Sequence, residues 1–269
     1  MARAPITFDT ADGNTTHAPL VVARLGGLEL RFVLDTGSEV HIVTKELADE
    51  LGLAVEPGEE GTDHSGATMP SWTVEDLPLE LGGVELTLRG VVSIPAPKPF
   101  PGLGIGGILS PQHLHPSAQA VVDLVSDELL LVDGADPERA PGLRTLVLER
   151  DAGFTSVVVP AAIRPFPEIP TLLNTGGRHT EFSVSAVPGL AADAMERIGG
   201  GVSGADVLAA KVGEATLVVG GEDVRVPELA VRGSMHDPQG MVGMDVLRGT
   251  ILTVATDLSR PVVWRLPAR

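Results

Sequence analysis

Apolar and polar residues alternate in short runs along this chain, and a Gly or Pro breaks each run well before it reaches helical length. The stretch "HAPLVVARLGGLELRFVLDTGS" predicts two strands joined by a turn at Gly26-Gly27, with the second strand running into a turn at Asp35. In "EVHIVTKELADELGL" the period changes, predicting a short helix from Lys45 to Leu51 that Gly52 stops. A polar, Gly-bearing tip in "GTDHSGATMP" precedes two alternating runs about Gly82-Gly83, a second hairpin. "GIGGILSPQHL" follows as an apolar strand leading into a short helix, and "AVVDLVSDELLLVDG" as a strand pair.

The same order then returns. "TSVVVP", "IPTLLNTGG", a Gly-rich tip in "GGGVSGADVLAA", a hairpin in "ATLVVGGEDVRVPELAVRGS", "GMVGMDVL" and "TILTVATDLSRPVVWRL" repeat the first series. Asp35 lies 72 positions before Gly107, and Asn174 lies 66 before Gly240, so the two series keep nearly one spacing. The pattern predicts a duplicated unit: a tail over 1–17, a first lobe over 18–134, a linker over 133–142 rich in Pro, Gly and charge, and a second lobe over 143–269. The proline-rich pieces "IPAPKPFPG" and "IRPFPEIP" read as rigid loops within that unit rather than ligands for another domain.

Composition narrows the function. With 43% hydrophobic and 20% charged residues, 32 Gly and 22 Pro, the chain fits a globular, strand-rich protein. A formal net charge of −17, with no Lys/Arg run, argues against nucleic acid as a partner. Zero Cys excludes disulfides and thiolate chemistry and fits a reducing compartment. No apolar segment is of signal or membrane-spanning type, so the expectation is a cytoplasmic protein without a membrane partner.

Two turns carry the candidate chemistry. "FVLDTGSEVHIV" followed by a Gly-rich hairpin and a later Gly-apolar-apolar-Gly-x-Asp-x-Leu signature resembles the retropepsin-like aspartic proteases, here in a tandem single-chain form. "GMVGMDVL" carries the later signature in full, whereas "GILSPQHL" departs from it at Ser110 and Gln112. The resemblance implies an all-β fold of two pseudo-symmetric lobes with a few short helices and a central cleft. It implies a monomer that takes a peptide or protein substrate and needs no cofactor or metal. In such proteins two carboxyls share a proton and activate one water. Asp35 matches the first of these and Asn174 stands at the second, which leaves hydrolysis impaired because an amide donates a hydrogen bond but transfers no proton. Three origins stay open for Asn174: a natural pseudoprotease, an enzyme using Asp35 with a helper, and an inactivated form of an Asp.

Carried over position by position, Thr36 and Thr175 brace the two turns, Gly37 and Gly176 let them approach, and Ser38 supports the carboxylate, while Gly177 supplies no such hydroxyl. Ser65, Gly66 and Ala67, with Ser203, Gly204 and Ala205, match flap tips that close over a peptide. The chain has no Tyr for a flap, and Trp72 is the candidate to fill some of that space. His41 and His179 follow the two turns closely and are candidate acid–base helpers, with packing as the plainer reading. His113 and His115 lack the further ligands a zinc site needs, and "IGGGVSG" lacks the Lys of a phosphate loop. Ile105 and Val202 hint at apolar side chains in the substrate.

Overall fold

The computed structural model describes residues 2–11, 13–133, 142–190 and 195–268, and it is mostly strand with three short helices among them. Residues 134–141, most of the expected linker, lie outside the described residues. The predicted hairpins form at both Gly-Gly turns of the first half. Thr15–Leu25 pairs with Leu28–Leu34, and Leu77–Leu81 with Val84–Leu88. Gly26 and Gly27 have φ of 58° and 84°, the left-handed pair that a two-residue turn between twisted strands requires. The helix Lys45–Glu50 starts where Thr44 accepts a hydrogen bond from Leu47 N–H and ends before Gly52, as its sequence signals predict.

Each half then builds the same small arrangement around its turn. In the first, Ile105–Leu109 runs parallel to Leu28–Leu34 and antiparallel to His41–Thr44, and His41–Thr44 runs parallel to Val91–Ile94. In the second, Gly240–Val242 runs parallel to Ile169–Leu173 and antiparallel to Thr180–Ser183, and Thr180–Ser183 runs parallel to Glu222–Arg232. Parallel neighbours hold the end of one strand beside the end of the next, so both turns emerge from fully paired backbone rather than from a free edge.

One six-strand run joins the halves. Its order is Leu143–Leu148, Val262–Pro267, Ile251–Ala255, Gln119–Asp123, Glu128–Val132 and Arg3–Asp9, three strands from each half. The middle pair, Gln119–Asp123 with Ile251–Ala255, is antiparallel with Val121 opposite Thr253. A single apolar cluster extends from this sheet into both halves, including Ala4, Leu129 and Val122 on one side and Leu146, Val254 and Trp264 on the other. Trp264 is fully buried and its indole N–H donates to Thr250 Oγ1 at 3.0 Å.

The expected tail over 1–17 is corrected here. Arg3–Asp9 is the outer strand of that run, paired with Glu128–Val132 and with Thr15–Leu25. Ala4 and Ile6 face the core, an alternation that is present in "RAPITFD" but too short and weakly apolar to read as a strand without its partners. Replacing Ile6 by Ala, or Leu146 by Ala on the opposite outer strand, is expected to cost about 2–4 kcal/mol each in urea unfolding. A change within about 0.5 kcal/mol at Ile6, the size expected of a surface residue, would return it to a tail.

Candidate active site

Two turns meet between the halves and hold each other through hydroxyls. Thr36 N–H donates to Thr175 Oγ1 and Thr175 N–H donates to Thr36 Oγ1, both at 3.1 Å. Each hydroxyl in turn donates to the strand that feeds the other turn, Thr36 Oγ1 to Leu173 O and Thr175 Oγ1 to Leu34 O at 2.7 Å. Both threonines are completely buried, so neither could be left without these partners cheaply.

The glycines next in sequence make the approach possible. A Cβ on Gly176 would overlap the Asp35 carboxyl, and one on Gly37 would come within 2.7 Å of Asn174 Cγ. Asp35 and Asn174 thus each lie against the backbone of the opposite turn. Gly37 N–H donates to Asp35 Oδ1 at 2.8 Å, and Gly176 N–H donates to Asn174 Oδ1 at 2.8 Å.

The two side chains differ in electrostatics. Burial raises the Asp35 carboxyl above the usual range, opposed by the N–H groups of Gly37, Gly176 and Ser38 and by the charge of His64, although the group keeps partial contact with solvent. Asn174 is buried, its Oδ1 also accepts from Gly177 N–H at 3.0 Å, and its Nδ2 donates to the thioether of Met241 at 3.1 Å. A Cβ at Gly177 would stand 2.9 Å from Met241 Cε. Gly177 therefore does more than omit a hydroxyl: it leaves the room that the thioether fills.

Ser38 departs from its expected role. Its hydroxyl donates to Val40 O at 2.7 Å, not to the carboxylate, and its backbone N–H is what reaches Asp35. The short turn folds the side chain back onto its own segment.

Behind each turn a polar contact fixes the following strand, and it explains the departures in "GILSPQHL". In the second half Gly243 N–H donates to Thr180 Oγ1 at 3.2 Å, and Thr180 N–H and Oγ1–H donate to the Asp245 carboxylate at 3.0 and 2.7 Å. In the first half Ser110 N–H donates to His41 Nδ1 at 3.2 Å, and Gln112 Nε2 donates to Thr36 O and Ser38 O at 3.3 and 2.9 Å. His41, Ser110 and Gln112 stand where Thr180, Gly243 and Asp245 do. The substitution of all three keeps Ser110 N–H, both His41 ring nitrogens and the Gln112 amide nitrogen partnered, while Gln112 Oε1 has no hydrogen-bond partner among the described residues.

His41 is fully buried, with Nε2 donating to His113 O at 3.2 Å, and burial holds its imidazole down to about 4, so it packs as a neutral ring. His179 follows the second turn and, with His17, Arg178 and Arg248, lines a cavity of about 500 Å³ on that side. His115 Nδ1 accepts from Ala118 N–H, and among the described residues no three His, Asp or Glu groups converge as metal ligands do. Trp72 lies in a strand with Lys45 Nζ 5.6 Å from its ring.

Both tips bend at glycines, Gly66 at φ 87° and Gly204 at φ 86°, and they touch. The residue that joins them was not singled out in the sequence: Asp63 accepts from Ser65 N–H and from Ser203 N–H of the other tip, both at 2.8 Å. A Cβ on Gly201 would overlap that carboxylate. Burial works to raise Asp63, but the donors of Ser203 and Ser65 outweigh it and leave the carboxyl below its ordinary value. Ala67 N–H and Ala205 N–H each donate to the serine two residues back at 3.2 Å, which keeps Ser65 and Ser203 within their own turns. The next residue, His64, reaches the second half, where Nε2 lies 3.0 Å from the buried carboxylate of Glu181. An Asp-His pair in a tip and one Glu in the otherwise neutral strand "TEFS" are the only traces of this cluster in the sequence.

Residues 21–110 match the family model described as aspartyl protease, a span that includes Asp35, Thr36, Gly37, Ser38 and the first tip. That stretch is similar to aspartyl proteases, and the match supports a peptidase-type reading of the first turn. No curated protein matches the chain. No helix among the described residues is long and apolar enough to cross a membrane.

Thr175→Val removes an acceptor and a donor from buried partners and is expected to cost about 2–4 kcal/mol in urea unfolding, whereas Thr175→Ser, which keeps the hydroxyl, costs under about 1.5 kcal/mol. Equal losses for the two would mean that the hydroxyl is not what holds the turns. His41 gives a pH dependence. Its folded value lies below the unfolded 6.5, so the unfolded chain binds more protons, and the stabilising effect present above 6.5 is lost as pH falls toward about 4. The loss should reach about 3 kcal/mol, with the ring protons titrating near 4 in NMR; a midpoint near 6.5 would contradict the neutral buried ring.

Proposed function

We propose that the chain is an aspartyl-protease-type peptidase whose two halves face each other about a pseudo-twofold axis, with a peptide held extended in the cleft beneath the two tips acting as flaps. The reciprocal seating of the two turns carries this reading, since it brings Asp35 and Asn174 against the same pair of backbone segments. An extended ligand there gains main-chain hydrogen bonds from strand and flap backbone and selectivity from side-chain pockets.

Asp35 acts as the base. As the water oxygen bonds to the scissile carbonyl carbon, one water proton passes to Asp35, and the carbonyl π pair moves onto its oxygen. The second Nδ2 proton of Asn174, the one not directed at Met241, donates to that oxygen and steadies the charge. The C–N bond then breaks as Asp35 returns its proton to the leaving nitrogen, and the carbonyl re-forms. Because Asn174 cannot protonate the oxyanion, turnover falls short of a two-acid site by a factor on the order of 10²–10⁴.

One observation favours a second reading, a peptide-binding module without turnover. Met241 and Gly177 fit an amide at 174: an ionised carboxylate there would face a thioether and find no hydroxyl donor. The same setting means that an Asp introduced at 174 would hold its proton while Asp35 ionises, the division of labour an acid–base pair needs.

Mass-spectrometric mapping of a mixed peptide library incubated with wild type, Asn174→Asp and Asp35→Asn decides between them. Slow cleavage by wild type, at least about 100-fold faster cleavage by Asn174→Asp and none by Asp35→Asn is the expected pattern. Cleavage by Asn174→Asp alone, with wild type binding peptide, selects the module; inert proteins that also bind no peptide would refute both readings.

A further inference from the structure

The two tips carry the same Ser-Gly-Ala turn but differ in the residue before it, His64 in one and Val202 in the other. Each of these side chains crosses to the opposite half. Val202 packs on an apolar cluster of the first half that includes Val33, Ile42, Ile105 and Ile108. His64 meets Glu181 and Arg232 of the second half. Ile42 and Glu181 are matched positions, each seven residues after its turn residue 35 or 174, and each in the strand antiparallel to the one that supplies Ile108 or Met241. The two tips therefore rest on one apolar and one charged group of side chains at corresponding places.

The charged pocket is an ion pair with its remaining valences filled by the flap. Glu181 and Arg232 are both buried, with Arg232 Nη1 3.4 Å from Glu181 Oε2. His64 supplies what the pair lacks. Its Nε2 lies 3.0 Å from Glu181 Oε2 and 3.1 Å from Arg232 Nη1, and its carbonyl oxygen accepts from Arg232 Nη1 at 2.9 Å. Lifting the flap would leave Glu181 short of one donor and Arg232 short of one acceptor, in a place where unpaired charge is costly.

We propose that the Glu181–Arg232 pair is a side-chain subsite for a carboxamide, occupied in the closed molecule by His64, and that ligands carry Gln or Asn beside an apolar residue. The inference rests on the peptide reading above. A primary amide offers one acceptor to Arg232 and N–H donors to Glu181, and it does so without net charge. The pair is already neutral as a unit, so a Lys or a Glu side chain would add an uncompensated charge next to it, and a Leu would leave both polar groups bare. Recognition of this kind discriminates strongly, because a site made to hydrogen-bond a polar group penalises any ligand that lacks it. The apolar partner enters the Ile42, Ile105 and Ile108 pocket beneath Val202.

The test measures binding, not cleavage. Fluorescently labelled octapeptides with Leu at one central position and Gln, Asn, Lys, Glu or Leu at the neighbouring one, in both orders, are titrated into full-length Asp35→Asn protein. The Gln and Asn peptides should bind at least ten-fold tighter than the Lys, Glu and Leu peptides. Adding His64→Ala should tighten the Gln and Asn peptides several-fold further, because the imidazole no longer competes for Glu181 although the backbone carbonyl at 64 remains, and leave the order of preference unchanged. Equal or tighter binding of the Lys, Glu or Leu series, or no gain from His64→Ala, overturns the subsite while leaving peptide binding intact. If none of the octapeptides binds, the peptide reading falls and the subsite with it.

Discussion

The reciprocal hydroxyl bonds of Thr36 and Thr175 are the constraint on which the rest of the arrangement turns. Each threonine satisfies the other's backbone N–H and ties down the strand that feeds the opposite turn. Four buried polar groups are thereby answered within a few ångströms, and none could be answered by its own half alone. The position of Asp35 relative to Asn174 is a result of that exchange. The glycines at 37 and 176 set how close the two may come, and the threonines set how they face.

Around the lock, the two halves reach similar geometry with different chemistry. His41 in its neutral form, Ser110 and Gln112 fill the places of Thr180, Gly243 and Asp245, and each set ties its turn to the strand behind it by hydrogen bonds. Met241 and Gly177 replace a hydroxyl by a thioether beside Asn174. The seat of Asp35 offers the Gly37 N–H to a carboxylate, with the N–H groups of Gly176 and Ser38 nearby, and the seat of Asn174 offers two N–H groups to an amide oxygen and sulfur to its nitrogen. The asymmetry at the centre is thus continued in the surroundings of both side chains.

Much of this was legible in the sequence because it is written in local signals. Paired glycines at 26-27 and 82-83 marked hairpins, Gly52 marked a helix end, and the repeated turn marked the meeting place of Asp35 and Asn174. What escaped was whatever depends on a distant partner. The strand Arg3–Asp9 is a strand because Glu128–Val132 lies beside it, and "RAPITFD" alone is too short and too weakly apolar to say so. Ser38 turns its hydroxyl to Val40, a choice made by local turn geometry that a motif does not record. The adjacent Asp63 and His64 lie far along the chain from Glu181, Arg232 and Ser203 and meet them only once the tips cross, so no spacing could have announced these contacts.

The contact between the tips has a bearing on how such a molecule could arise. Asp63 fits because its counterpart at 201 is a glycine, and the carboxylate fills the volume a side chain there would need. Two identical subunits meeting in this way would have to present the same residue twice, either two acids that repel or two glycines that leave the N–H of Ser203 without an acceptor. Once the two segments are no longer bound to be identical, one can carry a charge where the other gives up a side chain, and the paired segments fit each other better than either fits itself.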